Sequence, residues 1–429
     1  MIEGGARKKT IAIICNLDTR GEEIIFVKDL IRARGHMPIL IDFSMEESPK
    51  VRGDITCEEV AHKGGLPIQT VREFYRTNRE AATNNQIAGV TAIIGDLLDK
   101  NQLDGVIGIG GATSTLVSTA VMQCLPFGLP KVMATPMAGH PRYAEIGVGT
   151  RDVTMHNTVL DIVKMNPLLK AQIINAVGAI CGMVEMTRGV EIPAGRPLIA
   201  ISSFGFAEMA VQAAVGMLEE EGFIPVVCHA QGKGDRAMED MIRDGMFRGL
   251  LDFCTGGILE HMCAGNRDPG PDRLNAAARS GIPAVLAPCG LDFLSYGGRK
   301  DKLAETEGRA RYVQDGFRIQ VRTTKSEMEA AADVFAERLN ASNGPFTFLN
   351  PLKGWSSIDR EGNAMYDPAT DAAFFSRLRQ KIVRSDAVKD VDLNLYTEEF
   401  ARVMVDEFVR LYDSCAHSGK AAAEGSTRS

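Results

Sequence analysis

Short apolar runs recur along the chain, each cut off by polar or glycine-rich residues. TIAIICNL (10–17) is too short for a helix and meets the polar segment Asp18–Gly21, so it reads as a buried strand. EEIIFVKDLIRARG (22–35) has helical spacing and a glycine stop. MPILIDF (37–43) is the second strand, followed by a long polar loop over 44–67, and residues 70–100 read as one or two helices. LDGVIGIGG (103–111) is a third strand running into glycines, ATSTLVSTAVMQCL its helix, and PKVMATPM (130–137) a fourth strand. Residues 152–186 read as largely helical. After EIPAGRP (191–197), a linker by composition, the alternation restarts with PLIAISSFG, AEMAVQAAVGMLEEEG, FIPVVCHA and GKGDRAMEDMIRDG. LLDFCTGG, IPAVLAPCG (282–290) and FTFLNPLKGW (346–355) continue it, and 374–382 and 400–412 read as helices. Strands separated by helices imply right-handed crossovers and parallel sheets covered on both faces. The pattern predicts an α/β protein with two doubly wound parallel-sheet domains, residues 1–190 and 195–415, an interdomain cleft, and a small, polar, disordered tail over 416–429.

Composition narrows the function classes. Of 429 residues, 45% are apolar and 24% charged, as in ordinary globular chains, which excludes disordered, collagenous and coiled-coil architectures. A net charge of −7 and a single tryptophan, Trp355, argue against a nucleic-acid surface. The nine cysteines form no C-x-x-C pair and mostly sit in apolar runs, which suits a reducing, cytoplasmic location. The N-terminal residues contain no apolar signal core, no run of 18 apolar residues occurs, and no membrane association is expected.

Chemistry concentrates at strand ends. In GVIGIGGATST a strand runs into Gly110 and Gly111, and Ala112, Thr113 and Ser114 open a helix. Glycines admit a phosphate to the backbone and a helix N-terminus offers N–H groups, although an ordinary tight turn has the same spacing. Asp18 and Thr19 follow the first strand, where α/β folds place ligand groups or helix caps. Asp42 and Ser44 end the second strand, where a ribose hydroxyl is often read. VCHAQGKGDRAMED brings His229, Gly232, Gly234 and Arg236 together, a set suited to a phosphate or carboxylate. Ser203 and Gly205 in SSFGFAE, with CTGGILEH and PCGLDF, share one edge if the sheet is parallel. Gly354 and Ser356 in NPLKGWSSID, and Thr150 in HPRYAEIGVGTRD, bind a ligand or merely shape turns. Neither H-E-x-x-H nor G-x-S-x-G occurs, and no metal is expected. Cys289 ends a strand and reads as a buried thiol more readily than as a nucleophile.

The motifs, taken in order, are IGIGGATST, VGTRDVTMHNTVLDIVKMNPL, SSFGF, HAQGKGDRAMED, PDRLNAAARSGIPAV, PLKGWSSID and YDPATDAAF. From about residue 9 to 412 the chain thereby resembles the Tm-1-like ATP-binding family, UPF0261. The resemblance implies two Rossmann-like subdomains, a homodimer, and ATP at the glycine turn of the first. Gly110, Gly111, Ala112 and Thr113 match that turn by position, with Thr113 or Ser114 where a third small residue is common. Arg79, in NREAA, matches an arginine that the family places near the nucleotide. Where relatives often carry H-x-H-N-P, this chain has RYVQDGFRIQVRTT. The expected ligands are ATP and a small anionic metabolite, the latter near His229, Arg236 and Ser203. The competing readings are a hydrolase or lyase of small carboxylates, with His229 as general acid/base and Arg236 as carboxylate clamp, and a non-catalytic interaction protein.

Overall fold

The computed structural model describes residues 8–49, 51–187 and 192–426, with side chains to 415. It divides into two compact units at 191/192, within the segment expected to be a linker.

In the first unit, β1 (Thr10–Cys15), β2 (Met37–Asp42), β3 (Gly105–Ile109), β4 (Lys131–Thr135) and β5 (Thr154–Asn157) form a parallel sheet in the order 2-1-3-4-5. The helices are α1 (Leu17–Ala33), α2 (Cys57–Lys63), α3 (Ile68–Thr77), α4 (Arg79–Asp99), α5 (Ala112–Gln123), α6 (Pro141–Val148) and α7 (Pro167–Met186). Successive strand residues point to opposite faces. Ile11, Ile13 and Cys15 accordingly pack with Ile24 and Val27 of α1 and with Ile173 and Ile180 of α7. Ala12 and Ile14 pack with Val60 of α2, Val71 of α3, Val90 of α4 and Val117 of α5. The continuous apolar runs of the sequence are therefore strands buried on both faces. By length and mean hydropathy α7 could cross a membrane, but Leu169, Ile173, Ala176, Ile180 and Val184 are buried in the core of this unit.

Two expectations for this unit change. The polar loop over 44–67 contains α2, whose start is a capping box: Thr56 accepts from Glu59 N, and the Glu59 carboxylate accepts from Thr56 N at 2.8 Å. The helical reading of 152–186 overlooked β5. No β5 residue is buried, so burial imposed no apolar period there.

In the second unit, β6 (Leu198–Ser203), β7 (Ile224–His229), β8 (Gly249–Asp252) and β9 (Ala284–Leu286) precede a small antiparallel sheet. That sheet comprises β10 (Phe293–Ser295), β11 (Arg311–Val313) and β12 (Ile319–Arg322) in the order 10-12-11. With β13 (Phe346–Pro351) and β14 (Val388–Val391), the main parallel sheet has the order 14-13-9-8-6-7. The helices are α8 (Glu208–Glu220), α9 (Lys233–Arg243), α10 (Gly257–Met262), α11 (Asn275–Ser280), α12 (Lys300–Glu305), α13 (Lys325–Asn340), α14 (Pro368–Lys381) and α15 (Glu398–Ser426). Ala200, Leu250 and Phe348 face α9, α13 and α14; Ile199, Ile201 and Leu349 face α8 and α15. Both units are thus doubly wound and Rossmann-like.

The expected tail is a correction in part. α15 runs on to Ser426 through an alanine-rich stretch of high helix propensity. Side chains from 416 onward, and residues 427–429 altogether, lie outside the described residues.

Candidate functional site

In the order 2-1-3 the chain leaves β1 toward one side and returns on the other, which opens a crevice at the carboxyl ends of β1 and β3. Asn16 enters it from β1 and the glycine turn from β3. Ser114 Oγ donates to Asn16 Oδ1 at 3.0 Å, and the Asn16 amide donates to Thr19 Oγ1, so the two strand ends are tied. Gly110 has φ +147°, and a Cβ there would lie 2.3 Å from Ser114 Oγ. Gly111 is different. It caps α5 without any side-chain hydrogen bond, and a Cβ on it would meet only Asp161 Oδ1, at 4.0 Å. The start of α5 therefore opens into space. Gly110→Ala should destabilise this unit by about 1–3 kcal/mol, the usual cost of a strained backbone, measured as a lower urea midpoint.

Asp18, Thr19 and Thr113 line the crevice, whose volume is about 50 Å³. Asp18 and Thr19 lie in the first turn of α1 rather than before it. Tyr75, which no sequence motif pointed to, also lines it; its hydroxyl donates to Glu46 Oε2 at 3.2 Å. The Arg79 guanidinium lies over the Tyr75 ring, 4.3 Å from its centroid, which brings Arg79 to the crevice through an aromatic neighbour. Asp18, Glu46 and Asp161 place three carboxylates near the turn.

Other expected nucleotide residues lie elsewhere. Asp42 and Ser44 are fully buried. Asp42 Oδ1 accepts from Leu17 N at 3.1 Å and Ser44 N at 3.0 Å, and Ser44 Oγ accepts from Asp18 N at 3.1 Å. They fasten the end of β2 to the start of α1, with no ribose-facing surface, and burial pushes the Asp42 carboxyl up. Thr150 follows Gly149, where a Cβ would lie 2.6 Å from Gln123 Oε1, at the last residue of α5. That is the far end of the helix, about 18 Å from the glycine turn at 1.5 Å per residue.

The second unit has its switch point between β6 and β8. A buried charge cluster lies beneath it. Arg273, 1% exposed, donates to Asp252 at 2.7 Å, Asp235 at 2.9 Å and Glu239 at 3.2 Å. Ser202 Oγ donates to Asp252 and accepts from Cys254 N at 2.8 Å. Asp235 also accepts from Gly232 N at 2.9 Å and Glu239 from Ala276 N at 2.8 Å. Burial pushes the carboxyls of Asp235 and Glu239 up, and Arg273 works against it.

A second cluster lies beyond β9 and β13. Ser356 Oγ donates to Asp292 Oδ2 at 2.6 Å and accepts from Asp359 N at 3.1 Å. Gly290 N donates to Asp292 and Trp355 N to Asp359. Arg322 pairs with Asp371 and donates to the Asp292 carbonyl. Burial, then the neighbouring Asp359 charge, pushes Asp292 up to about 7; Asp359 and Asp371 are raised too, chiefly by burial. Ser356 therefore belongs to this buried cluster and presents no open substrate surface. Gly354, φ +108°, serves the same turn, since a Cβ there would lie 1.8 Å from the Asp359 carbonyl. Cys289 is buried, and burial pushes its thiol far up, unlike a nucleophile.

The histidine loop comes apart as a constellation. A Cβ on Gly234 would lie 1.9 Å from the His229 carbonyl, and one on Gly232 would lie 2.9 Å from that of Asp268. Both glycines permit close backbone packing. His229 is exposed at the end of β7. Arg236 is exposed on α9, where it lines a polar groove of about 690 Å³ whose lining includes neither His229 nor Ser203. Ser203 gives its carbonyl to Ala230 N at 2.7 Å, and Gly205 has open space around it.

Sequence reasoning missed Arg273, Asp252, Asp292 and Arg322. The available signal was a charged residue directly beside an apolar run, as in LLDF and GLDF. It also missed the antiparallel sheet, which Asp315-Gly316 between two short alternating runs could have indicated.

Comparisons with known proteins bear on both units. Residues 9–189 match the family described as the uncharacterised protein family UPF0261 N-terminal domain, and residues 196–412 match its C-terminal domain. A UPF0261 protein of Clostridium tetani is 35% identical over 407 residues, covering 94% of this chain and 99% of that protein. The ToMV resistance protein Tm-1 of Solanum lycopersicum is 30% identical over 325 residues, 74% of this chain and 43% of its own length. Among solved structures, the UDP-N-acetylglucosamine 2-epimerase from Rickettsia bellii is 11% identical at a TM-score of 0.23, over 65% of this chain and 79% of the other, a likeness too slight to carry an argument.

Proposed function

The chain belongs to the UPF0261 family in both halves, and on that premise we propose that it is an ATP-binding protein, with the nucleotide on the glycine turn of the first unit and a small anionic metabolite on the second. The observation that carries the nucleotide reading is Gly111. It sits at a topological switch point, caps a helix without a side-chain bond and faces open space, so a phosphate can approach the α5 N–H groups. Arg79 on Tyr75 supplies a nearby cation. The carboxylates of Asp18, Glu46 and Asp161 favour the nucleotide as its magnesium complex, because a bare polyphosphate would meet like charge there. A crevice of about 50 Å³ is far below the roughly 300–1,000 Å³ of ligand pockets, so the phosphates lie on the turn and the base lies outside the enclosed space.

Gly111→Val tests this cleanly. The backbone there has φ −79°, and a Cβ meets only Asp161 Oδ1, at 4.0 Å, an unstrained contact, so the variant should fold while its side chain occupies the phosphate path. Calorimetric titration of magnesium ATP should show binding weakened about tenfold or more, roughly 1.4 kcal/mol. Equal affinities for wild type and variant would refute the assignment.

Binding is favoured over turnover in the second unit. His229 is exposed, and no side chain among the described residues fixes its ring as a general acid/base requires. The same reading gives a cytoplasmic homodimer, and sedimentation velocity checks the dimer.

A further inference from the structure

The segments GKGDRAMED and PDRLNAAARSG meet in space: α9 packs against α11, and the polar groove of about 690 Å³ lies over their contact. That volume falls inside the range of roughly 300–1,000 Å³ typical of small-molecule sites. Its chemistry follows from which charges are already matched. Asp235 and Glu239, beneath the groove, are taken up by Arg273 and by backbone N–H groups. Asp240 pairs with Arg243, while Asp272, exposed at the rim, has only a 3.4 Å hydrogen bond from the neutral Asn275 amide and keeps its charge. Arg338, behind the 271–273 segment, donates to the carbonyls of Arg273 and Pro271. Two cations remain, Arg236 on α9 and Arg279 on α11. Both line the groove, both are exposed, and neither has an ion-pair partner among the described residues.

We propose that this groove binds a small dianion, a phosphorylated or dicarboxylate metabolite, held between Arg236 and Arg279. The inference rests on the anionic-metabolite half of the proposed function and moves its site from the β7 end to the face between α9 and α11. A guanidinium presents a planar fork of N–H donors that matches phosphate and carboxylate oxygens. It stays charged at every physiological pH, whereas an imidazole with its ordinary value near 6.5 does not. Binding at the groove is therefore independent of pH between 6 and 8 for a ligand that is itself fully ionised. A site built on His229 would strengthen as pH falls.

The experiment titrates inorganic phosphate and oxalate into wild type, Arg236→Ala, Arg279→Ala and His229→Gln by calorimetry. All three residues are exposed, so each variant keeps its core. At least one anion should bind wild type, and the tighter of the two separates the phosphorylated from the dicarboxylate class. Each arginine variant should weaken it about tenfold, the loss of one charge-assisted contact. His229→Gln should leave affinity unchanged, and oxalate, fully ionised throughout, should bind equally at pH 6 and pH 8 if it binds. Binding that ignores both arginine variants overturns the groove, and if His229→Gln then abolishes it, the anionic reading survives at the strand edge. Binding of neither anion at millimolar concentration overturns the groove and the anionic reading together.

Discussion

Arg273→Ala should abolish cooperative folding of the second unit at 25 °C. The guanidinium is the shared counter-ion of Asp235, Asp252 and Glu239, all buried with it. Removing one partner of a buried pair costs about 3–5 kcal/mol, because the charge left behind has lost its compensation. Here three carboxylates lose it at once, and net stabilities are only about 5–15 kcal/mol. The carboxyls can partly escape by taking up protons, so the variant should recover some stability in acid. Arg273→Lys should fall between, since one ammonium keeps the charge without the planar fork that reaches three acceptors. Urea unfolding followed by circular dichroism reads the effect. A midpoint for Arg273→Ala close to that of wild type would show that the cluster contributes little.

Asp292→Asn should remove a fall in stability that wild type shows as pH rises from about 4 to 7. In the folded chain burial and the Asp359 charge hold this carboxyl at about 7, and in the unfolded chain it titrates near 3.9. Between those values the folded state carries a proton that the unfolded state has released. Stability from this group is therefore fully present below about pH 4 and is lost as pH climbs through the window, by up to about 1.4 kcal/mol per pH unit. Asp359 and Asp371, also raised, act in the same direction. Glu185 and Glu407, each lowered to about 2 by partners that include Arg34 and Arg410, act oppositely and in more acidic solution. The difference between wild type and variant reads Asp292 together with the effect of its charge on Asp359 and Asp371. Arg322, Ser356 and the Gly290 N–H face this side chain in both proteins, and the amide, like the protonated carboxyl, offers one acceptor where the carboxylate offers two. Urea midpoints measured from pH 4.5 to 7.5 should converge at the acid end and separate toward neutrality, with the variant higher. Parallel profiles would contradict the shift.

The parts of this fold that were legible are those where burial writes a period into the chain. β1, β3, β6 and β9 carry apolar residues on both faces, and their runs are unbroken. β5 and β11, with no buried residue, left no such trace. The glycine turn was readable because Gly110 and Gly111 stand between a strand and a helix, but their separate duties were not. Gly110 is required by Ser114, and only Gly111 is free for a ligand. His229, Gly232 and Gly234 resembled a site because glycines near a histidine look alike whether they approach a ligand or the chain's own backbone, here that of His229 and Asp268. The charge clusters were illegible for a different reason. Arg273 reaches Asp252 and Asp235, and Arg322 reaches Asp371, across separations that no local pattern encodes.

A crystal structure of the chain grown with a non-hydrolysable magnesium ATP analogue tests the central claim most directly. The account predicts density for the phosphates at the N-terminus of α5, within hydrogen-bond reach of backbone N–H groups of Ala112–Ser114, with Arg79 and Tyr75 beside them. Nucleotide density at the groove between α9 and α11, with the glycine turn empty, would contradict it.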